Sequence, residues 1–135
     1  MKLSSLTWGV LAIVILACGK ASAQADPCQS SAVEKKSVLV NTMTAGEAQL
    51  IPASPQTIHV CGFLVDANAG FAFTYGSGVG CSVNRFLLTP FFLVVNAPHA
   101  YSGPGTIFSV PADNNLCVIQ GGPGSVVGVL TYARR

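Results

Sequence analysis

Cysteine spacing constrains the fold of this 135-residue chain more than any other feature. Four cysteines lie at least 20 residues apart after residue 23, and a fifth, Cys18, lies in an N-terminal leader. The four are Cys28, Cys61, Cys81 and Cys117. An even number of cysteines in a small exported domain indicates disulfides, so we predict two. Structural zinc sites use close cysteine pairs such as C-x-x-C, which this spacing lacks, so we predict no metal ion.

Three pairings of the four cysteines are formally possible. Cys61 and Cys117 both lie in apolar runs that are typical of strands, IHVCGF and LCVI. That similarity favours a Cys61–Cys117 disulfide, which leaves Cys28 to pair with Cys81. The first disulfide would close a loop of roughly 57 residues, worth about 4 kcal/mol on the chain-entropy model.

Residues 1–23 have the pattern of a cleaved signal peptide. Lys2 provides the basic start, an apolar core runs from Trp8 to Ala17, and Ala21-Ser22-Ala23 is a small-residue cleavage site. The core spans about ten residues, whereas a membrane-spanning helix needs roughly 20, so we expect no transmembrane helix in the mature form. The pattern predicts a secreted or periplasmic protein.

A lipoprotein signal is the alternative. Ile15-Leu16-Ala17-Cys18 resembles a lipobox, which would place a lipid anchor on Cys18 and make the chain an outer-membrane lipoprotein. Leucine is unusual at the second position of that box, whereas Ala21-Ser22-Ala23 suits the ordinary peptidase. We therefore favour ordinary secretion, and either route removes Cys18 from the disulfide count.

The charge of the mature chain limits its partners. Of seven basic residues, Lys2 and Lys20 belong to the leader, so five bases remain against five acids and the formal charge is zero. A chain without excess cations has little attraction for phosphate backbones, so we expect no nucleic-acid partner.

Short apolar runs and turn formers alternate along the rest of the chain. Phe71-Ala72-Phe73-Thr74-Tyr75 has the period-two alternation of a half-buried strand. Similar runs are Val38–Val40, Ala48–Ile51, Thr57–Val65, Phe91–Asn96, Thr106–Val110, Leu116–Gln120 and Val126–Tyr132. About eight short strands at this spacing predict an all-β antiparallel sandwich of jelly-roll type. We assign residues 24–36 to an N-terminal arm and residues 37–135 to one β-sandwich domain.

Several motifs together resemble a group of small exported proteins of proteobacteria and their phages. The motifs are Val60-Cys61-Gly62-Phe63, Tyr75-Gly76-Ser77-Gly78 followed by Cys81, Gly105-Thr106-Ile107-Phe108, Pro111-Ala112, Asn115-Leu116-Cys117 and Gly128-Val129-Leu130-Thr131-Tyr132. The resemblance spans most of residues 28–133 and departs from the group at residues 85–95, which are more apolar. It implies a secreted, disulfide-linked β domain and supplies no catalytic residues.

Catalytic constellations are not recognisable in the sequence. The acids are scattered, and Ser77 lies in YGSG rather than in the G-x-S-x-G of a nucleophile elbow. Gly76 to Gly80 lacks the lysine of a P-loop. His59 and His99 are the candidate general bases, and an enzyme would need both in one cleft beside a carboxylate or an oxyanion donor. We predict no catalytic residue, no cofactor and no enzymatic activity.

An apolar run in the middle of the chain is the candidate interface. Residues 86–95 carry no charge, and burial in a hairpin competes with exposure as a surface for self-association or a protein partner. The candidate interface residues are Phe86, Leu88, Phe91, Phe92 and Leu93. Tyr75, Tyr101 and Tyr132 are candidate surfaces for stacking a carbohydrate.

These patterns predict a non-catalytic interaction or structural module of the periplasm or cell surface. A phage-encoded virion surface or decoration protein is one alternative. A carbohydrate-binding module or a small secreted hydrolase is the other.

Overall fold

A computed structural model describes residues 25–89 and 96–135. These residues form nine strands and one 3₁₀ turn, Val79–Cys81. The strands are β1 (Lys35–Thr42), β2 (Gly46–Ile51), β3 (Ile58–Ala67), β4 (Phe71–Ser77), β5 (Val83–Leu87), β6 (Ala97–Ser102), β7 (Phe108–Val110), β8 (Asn115–Gln120) and β9 (Val126–Arg134). Within the described part of the chain, no helix is long and apolar enough to cross a membrane.

The strands form two antiparallel sheets packed face to face. The five-stranded sheet has the order β1-β9-β3-β6, and the short strand β7 lies beside the start of β3, on the same side as β6. The four-stranded sheet has the order β2-β8-β4-β5. With β7 set aside, this order is that of an eight-stranded jelly roll. The predicted fold class is therefore confirmed.

Alternation along the strands builds the core. On β4, Phe71 and Phe73 point between the sheets and are fully buried. Phe63 of β3 lies across from them, with its ring centroid 5.1 Å from that of Phe73 in an edge-to-face arrangement. Fourteen buried apolar residues form this cluster, and they are Val40, Ile51, Ile58, Val60, Phe63, Val65, Ala67, Phe71, Phe73, Val110, Leu116, Val118, Val126 and Leu130.

Strand β6 differs from the prediction. No strand was predicted between Asn96 and Thr106, yet Pro98 lies inside β6 and is the cross-strand neighbour of Asp66. Proline lacks an N–H to donate, but an edge strand tolerates it where the missing donor would face solvent. The predicted run Phe91–Asn96 falls outside the described residues except for Asn96. Strand β5 was not predicted separately from the apolar run that follows it.

The disulfides are Cys28–Cys61 and Cys81–Cys117. Two disulfides were predicted correctly, but the preferred pairing of Cys61 with Cys117 and of Cys28 with Cys81 was wrong. Cys61 is the extra residue of a bulge between Val60 and Gly62 on the five-stranded sheet. Cys117 lies between the core residues Leu116 and Val118, so it points away from the core on the four-stranded sheet.

The thickness of the sandwich explains the error. Packed sheets lie about 10 Å apart, and a disulfide requires Cα atoms within about 7 Å. Two cysteines on the outer sides of opposite sheets cannot meet. Each pairs instead with a cysteine on a segment that lies over the outer side of its own sheet. Cys61 pairs with Cys28, which precedes β1, and Cys117 pairs with Cys81, the last residue of the 3₁₀ turn.

Candidate functional site

The segment before β1, residues 25–34, lies across the outer side of the five-stranded sheet, and we call it the N-terminal arm. The Cys28–Cys61 disulfide attaches it to β3. Strand β1 begins at Lys35, within the predicted limits of the arm. Ala133 of β9 points outward at this end of the sheet and is nevertheless fully buried. The arm therefore divides the outer side of the sheet into a covered end and an open end.

Asp26 holds the arm in place through its carboxylate. The Thr106 N–H and hydroxyl donate to it over 2.8 and 2.7 Å, and the Cys28 N–H donates over 2.8 Å. Gly105, with φ near +151°, approaches so closely that a Cβ there would lie 2.8 Å from an Asp26 carboxylate oxygen. These hydrogen bonds, those from Thr106 first, lower the pKa of Asp26 because they favour the charged form.

An open cavity of about 360 Å³ lies at the covered end. It is lined by Ala25, Pro27, Thr57, His59 and Arg135. The Arg135 guanidinium donates to the Ala25 carbonyl over 3.0 Å, and the Arg135 main chain pairs with that of Thr57. The cavity is therefore bounded by both ends of the described chain.

His59 contributes an imidazole side chain to the lining of this cavity. Its Nδ1 lies 3.1 Å from the Ser109 hydroxyl on the neighbouring strand β7. Partial burial lowers the pKa of His59, and the nearby Asp26 charge offsets only part of this effect. A hydroxyl beside an imidazole is the start of a nucleophile–base pair. The Asp26 carboxylate that could orient the imidazole is occupied by Thr106 and Cys28 instead.

His99 does not line this cavity. The enzyme hypothesis required both histidines in one cleft. Its ring packs edge-to-face on Phe71 of the core, with centroids 5.5 Å apart. His99 is the cross-strand neighbour of Val65, six residues along β3 from His59, which corresponds to about 20 Å of strand. The structure does not bring the two histidines together.

The three candidate stacking tyrosines do not form one surface. Tyr75 belongs to the four-stranded sheet, where it stacks on Phe86 with centroids 5.2 Å apart. Tyr101 and Tyr132 belong to the other sheet, on β6 and β9, which β3 separates. Tyr101 stacks on Phe63, and the Arg134 guanidinium lies 5.8 Å from the Tyr132 ring centroid.

The predicted interface residues have mixed positions. Phe86 is 56% exposed on the edge strand β5, while its ring stacks on Tyr75. Leu88 is half-buried against the core. Phe91, Phe92 and Leu93 lie outside the described residues. Phe86 is therefore exposed and Leu88 half-buried, and whether the run as a whole serves as an interface stays a prediction.

Glu47 lies close to the buried Cys81–Cys117 disulfide. One carboxylate oxygen accepts from the Thr74 hydroxyl over 3.0 Å, and the other pairs with the Arg85 guanidinium at 3.4 Å. The carboxylate and the two sulfurs lie within 4.8 Å of one another, the spacing of a metal site. The sulfurs are joined in a disulfide, however, and metal binding by cysteine requires thiolates.

The open end of the five-stranded sheet carries an apolar surface that we call the outer face. It consists of the outward residues Ser37, Leu39, Asn41, Gly62, Leu64, Asp66, Pro98, Ala100, Ser102, Val127, Val129 and Thr131. Its central row crosses four strands in direct register through Leu39, Val129, Leu64 and Ala100. Leu39 is 77% exposed and Leu64 52%. Asp66 is the single charged residue of this face.

Sequence reasoning missed the outer face. Leu39 lies within the predicted strand Val38–Val40, where an apolar run does not show which side chain faces the core. The available signal was strand parity: with Val38 and Val40 inward, Leu39 must point outward.

The chain matches no protein-family model, and neither the curated proteins nor the solved structures contain a match to it. The function is therefore argued from the geometry above.

Proposed function

We propose that this chain is an exported, disulfide-linked, non-catalytic interaction module of the periplasm or cell surface. The outer face carries the proposal. Its central row is a continuous apolar strip across four strands, and it lies on the side of the sheet that faces away from the core. Contiguous exposed apolar surface of this kind marks interaction sites in soluble proteins.

The construction of the outer face suits protein contact. Its central row of leucine, valine and alanine is flanked by the small side chains of Ser37, Gly62 and Thr131. Small and apolar residues on a twisted sheet give a smooth surface without long charged side chains to desolvate. Both disulfides hold the segments around the two sheets in place and support a location outside the reducing cytosol.

Site-specific photo-crosslinking in cells tests this proposal. A photoreactive amino acid replaces Leu64 at the centre of the outer face, and a matched variant carries it at Gln56, which is exposed in the turn before β3. We expect a discrete crosslinked product from position 64 and none from position 56. The same products from both positions, or none from position 64, would contradict a role for the outer face.

A further inference from the structure

Among the described strands, β1 lies at the edge of the five-stranded sheet. It has eight residues and pairs with β9 along its whole length in one continuous register. Among the described strands, β9 is its only hydrogen-bonded neighbour. The N–H and C=O groups on its other side are therefore placed to pair with a further strand.

The usual devices that protect an edge strand are sparse here. β1 has no proline and no bulge, and its only charged residues are Lys35 and Lys36 at its first two positions. The remaining six residues are uncharged, and Leu39 is 77% exposed. Met43, which is 64% exposed, follows directly after the strand. A long, regular edge strand that carries its only charges at one end is a template for pairing with another chain.

We propose that this module pairs with a second copy of the same chain, antiparallel through β1 about a two-fold axis at Leu39. This pairing goes beyond the proposed function, because it leaves the outer face of each copy open and sets the two faces side by side. A two-fold axis perpendicular to the sheet keeps the outward side chains of both copies on one face. Leu39 then lies opposite Leu39 of the partner subunit, and Ser37 lies opposite Asn41 of the partner subunit.

Charge compatibility supports this register. It places Lys36 opposite Thr42 of the partner subunit and Lys35 opposite Met43 of the partner subunit, so no like charges face each other. Moving the axis one residue towards Lys35 would set the Lys36 side chain against Val40, a fully buried residue. The register at Leu39 keeps both lysines at the ends of the paired ribbon and joins the two outer faces into one surface.

Disulfide trapping tests the pairing on the mature chain, purified with its native disulfides intact. Leu39→Cys places two thiols across the two-fold axis, where Cβ atoms of opposed residues lie about 5 Å apart. Leu64→Cys is the matched control, since it lies in the same row but two strands away from the edge. Under mild oxidation we expect Leu39→Cys to form a covalent dimer roughly tenfold faster or more than Leu64→Cys.

A mixture of Ser37→Cys and Asn41→Cys chains tests the register. We expect a covalent heterodimer from the mixture and little from either variant alone. Peptide mapping should show that Cys28–Cys61 and Cys81–Cys117 remain intact. Leu39→Lys should raise the dimer dissociation constant in sedimentation roughly tenfold or more, because it places like charges opposite each other.

Equal trapping rates for Leu39→Cys and Leu64→Cys would overturn the pairing through β1. Faster trapping of Leu64→Cys would also overturn it, since that result requires stacked faces. A mature chain that sediments as a monomer up to about 1 mM, with no trapped dimer, would have no significant self-affinity. In that case, crosslinks from position 64 to other proteins would still support the proposed function of the outer face, and only the pairing through β1 would be wrong.

Discussion

At the scale of single residues, Asp26 shows how one side chain can position a whole segment. Its carboxylate accepts hydrogen bonds from the arm itself, at the Cys28 N–H, and from Thr106 in the loop before β7. Gly105 leaves the space that the carboxylate occupies. The arm is thus attached to the sheet twice, once by a disulfide and once by a charged acceptor.

Asp26→Asn should remove the contribution of that charge and change the acid dependence of stability. The pKa of Asp26 in the folded chain is lowered from 3.8, so its stabilisation is complete above pH 3.8 and is lost as the pH falls through the folded pKa. We expect Asp26→Asn to reduce the free energy of unfolding at neutral pH. We also expect a shallower loss of stability below pH 3.8, measured by urea unfolding across a pH series.

Asp66→Asn is the matched control for this prediction, because it makes the same substitution at an exposed carboxylate on the outer face. The difference in acid dependence between the two variants then measures the effect that is specific to Asp26. An Asp26→Asn variant with the same acid dependence as the unchanged chain would contradict the role assigned to the three hydrogen bonds.

At the scale of elements, the two disulfides close loops of similar length but lie in different surroundings. Their sequence separations are 33 and 36 residues, so the chain-entropy model gives each about 4 kcal/mol. Cys81 and Cys117 are fully buried, whereas Cys28 and Cys61 are partly exposed. Because the loop lengths are similar, we expect any difference in stability between loss of one disulfide and loss of the other to come from their different burial.

We expect the double variant Cys81→Ser/Cys117→Ser to lose more stability than Cys28→Ser/Cys61→Ser, because it leaves two hydroxyls in a site with no exposure to water. Urea unfolding of both variants measures the difference. Hydrogen exchange should show faster exchange in residues 25–34 of Cys28→Ser/Cys61→Ser, while β3 and β9 stay protected. A larger loss of stability in Cys28→Ser/Cys61→Ser would contradict the argument from burial.

The strands show which parts of this architecture are encoded locally. Phe71 to Tyr75 was predicted as a strand and forms most of β4, because alternation is a property of consecutive residues. β6 was missed because Pro98 is permitted only by its position at a sheet edge, and local sequence does not show which strand becomes an edge. The disulfide pairing failed for a similar reason: it depends on which outer side each cysteine occupies.

The candidate site was also predictable only in part, since some of its features depend on local sequence and others on the pairing of strands. The low number of charges on the outer face could be expected from a chain with so few charged residues. Its location could not, because Leu39, Val129 and Leu64 meet only through the pairing of β1, β9 and β3. The pairing of distant strands is a property of the whole fold.

At the scale of the whole molecule, the jelly roll separates three surfaces. The arm and its cavity cover one end of the five-stranded sheet, the outer face occupies the other end, and β1 forms an open edge beside that face. Residues 24–135 carry five basic and five acidic residues, so net electrostatic repulsion does not oppose association of two copies of this part of the chain. An apolar row beside a strand that is an edge among the described strands is consistent with a molecule that functions in contact with another chain.

Export is the condition on which this whole arrangement depends, since both disulfides need an oxidising compartment to persist. We expect the mature protein to begin at Gln24, one residue before the described structure, and to be four hydrogens lighter than its reduced form by intact mass. Cys18→Ser should leave that mass unchanged, because ordinary cleavage removes position 18. Ala23→Arg should block processing at the small-residue site. An acylated chain beginning at Cys18, with processing abolished by Cys18→Ser, would identify the lipoprotein route instead and tether the N-terminal arm to a membrane.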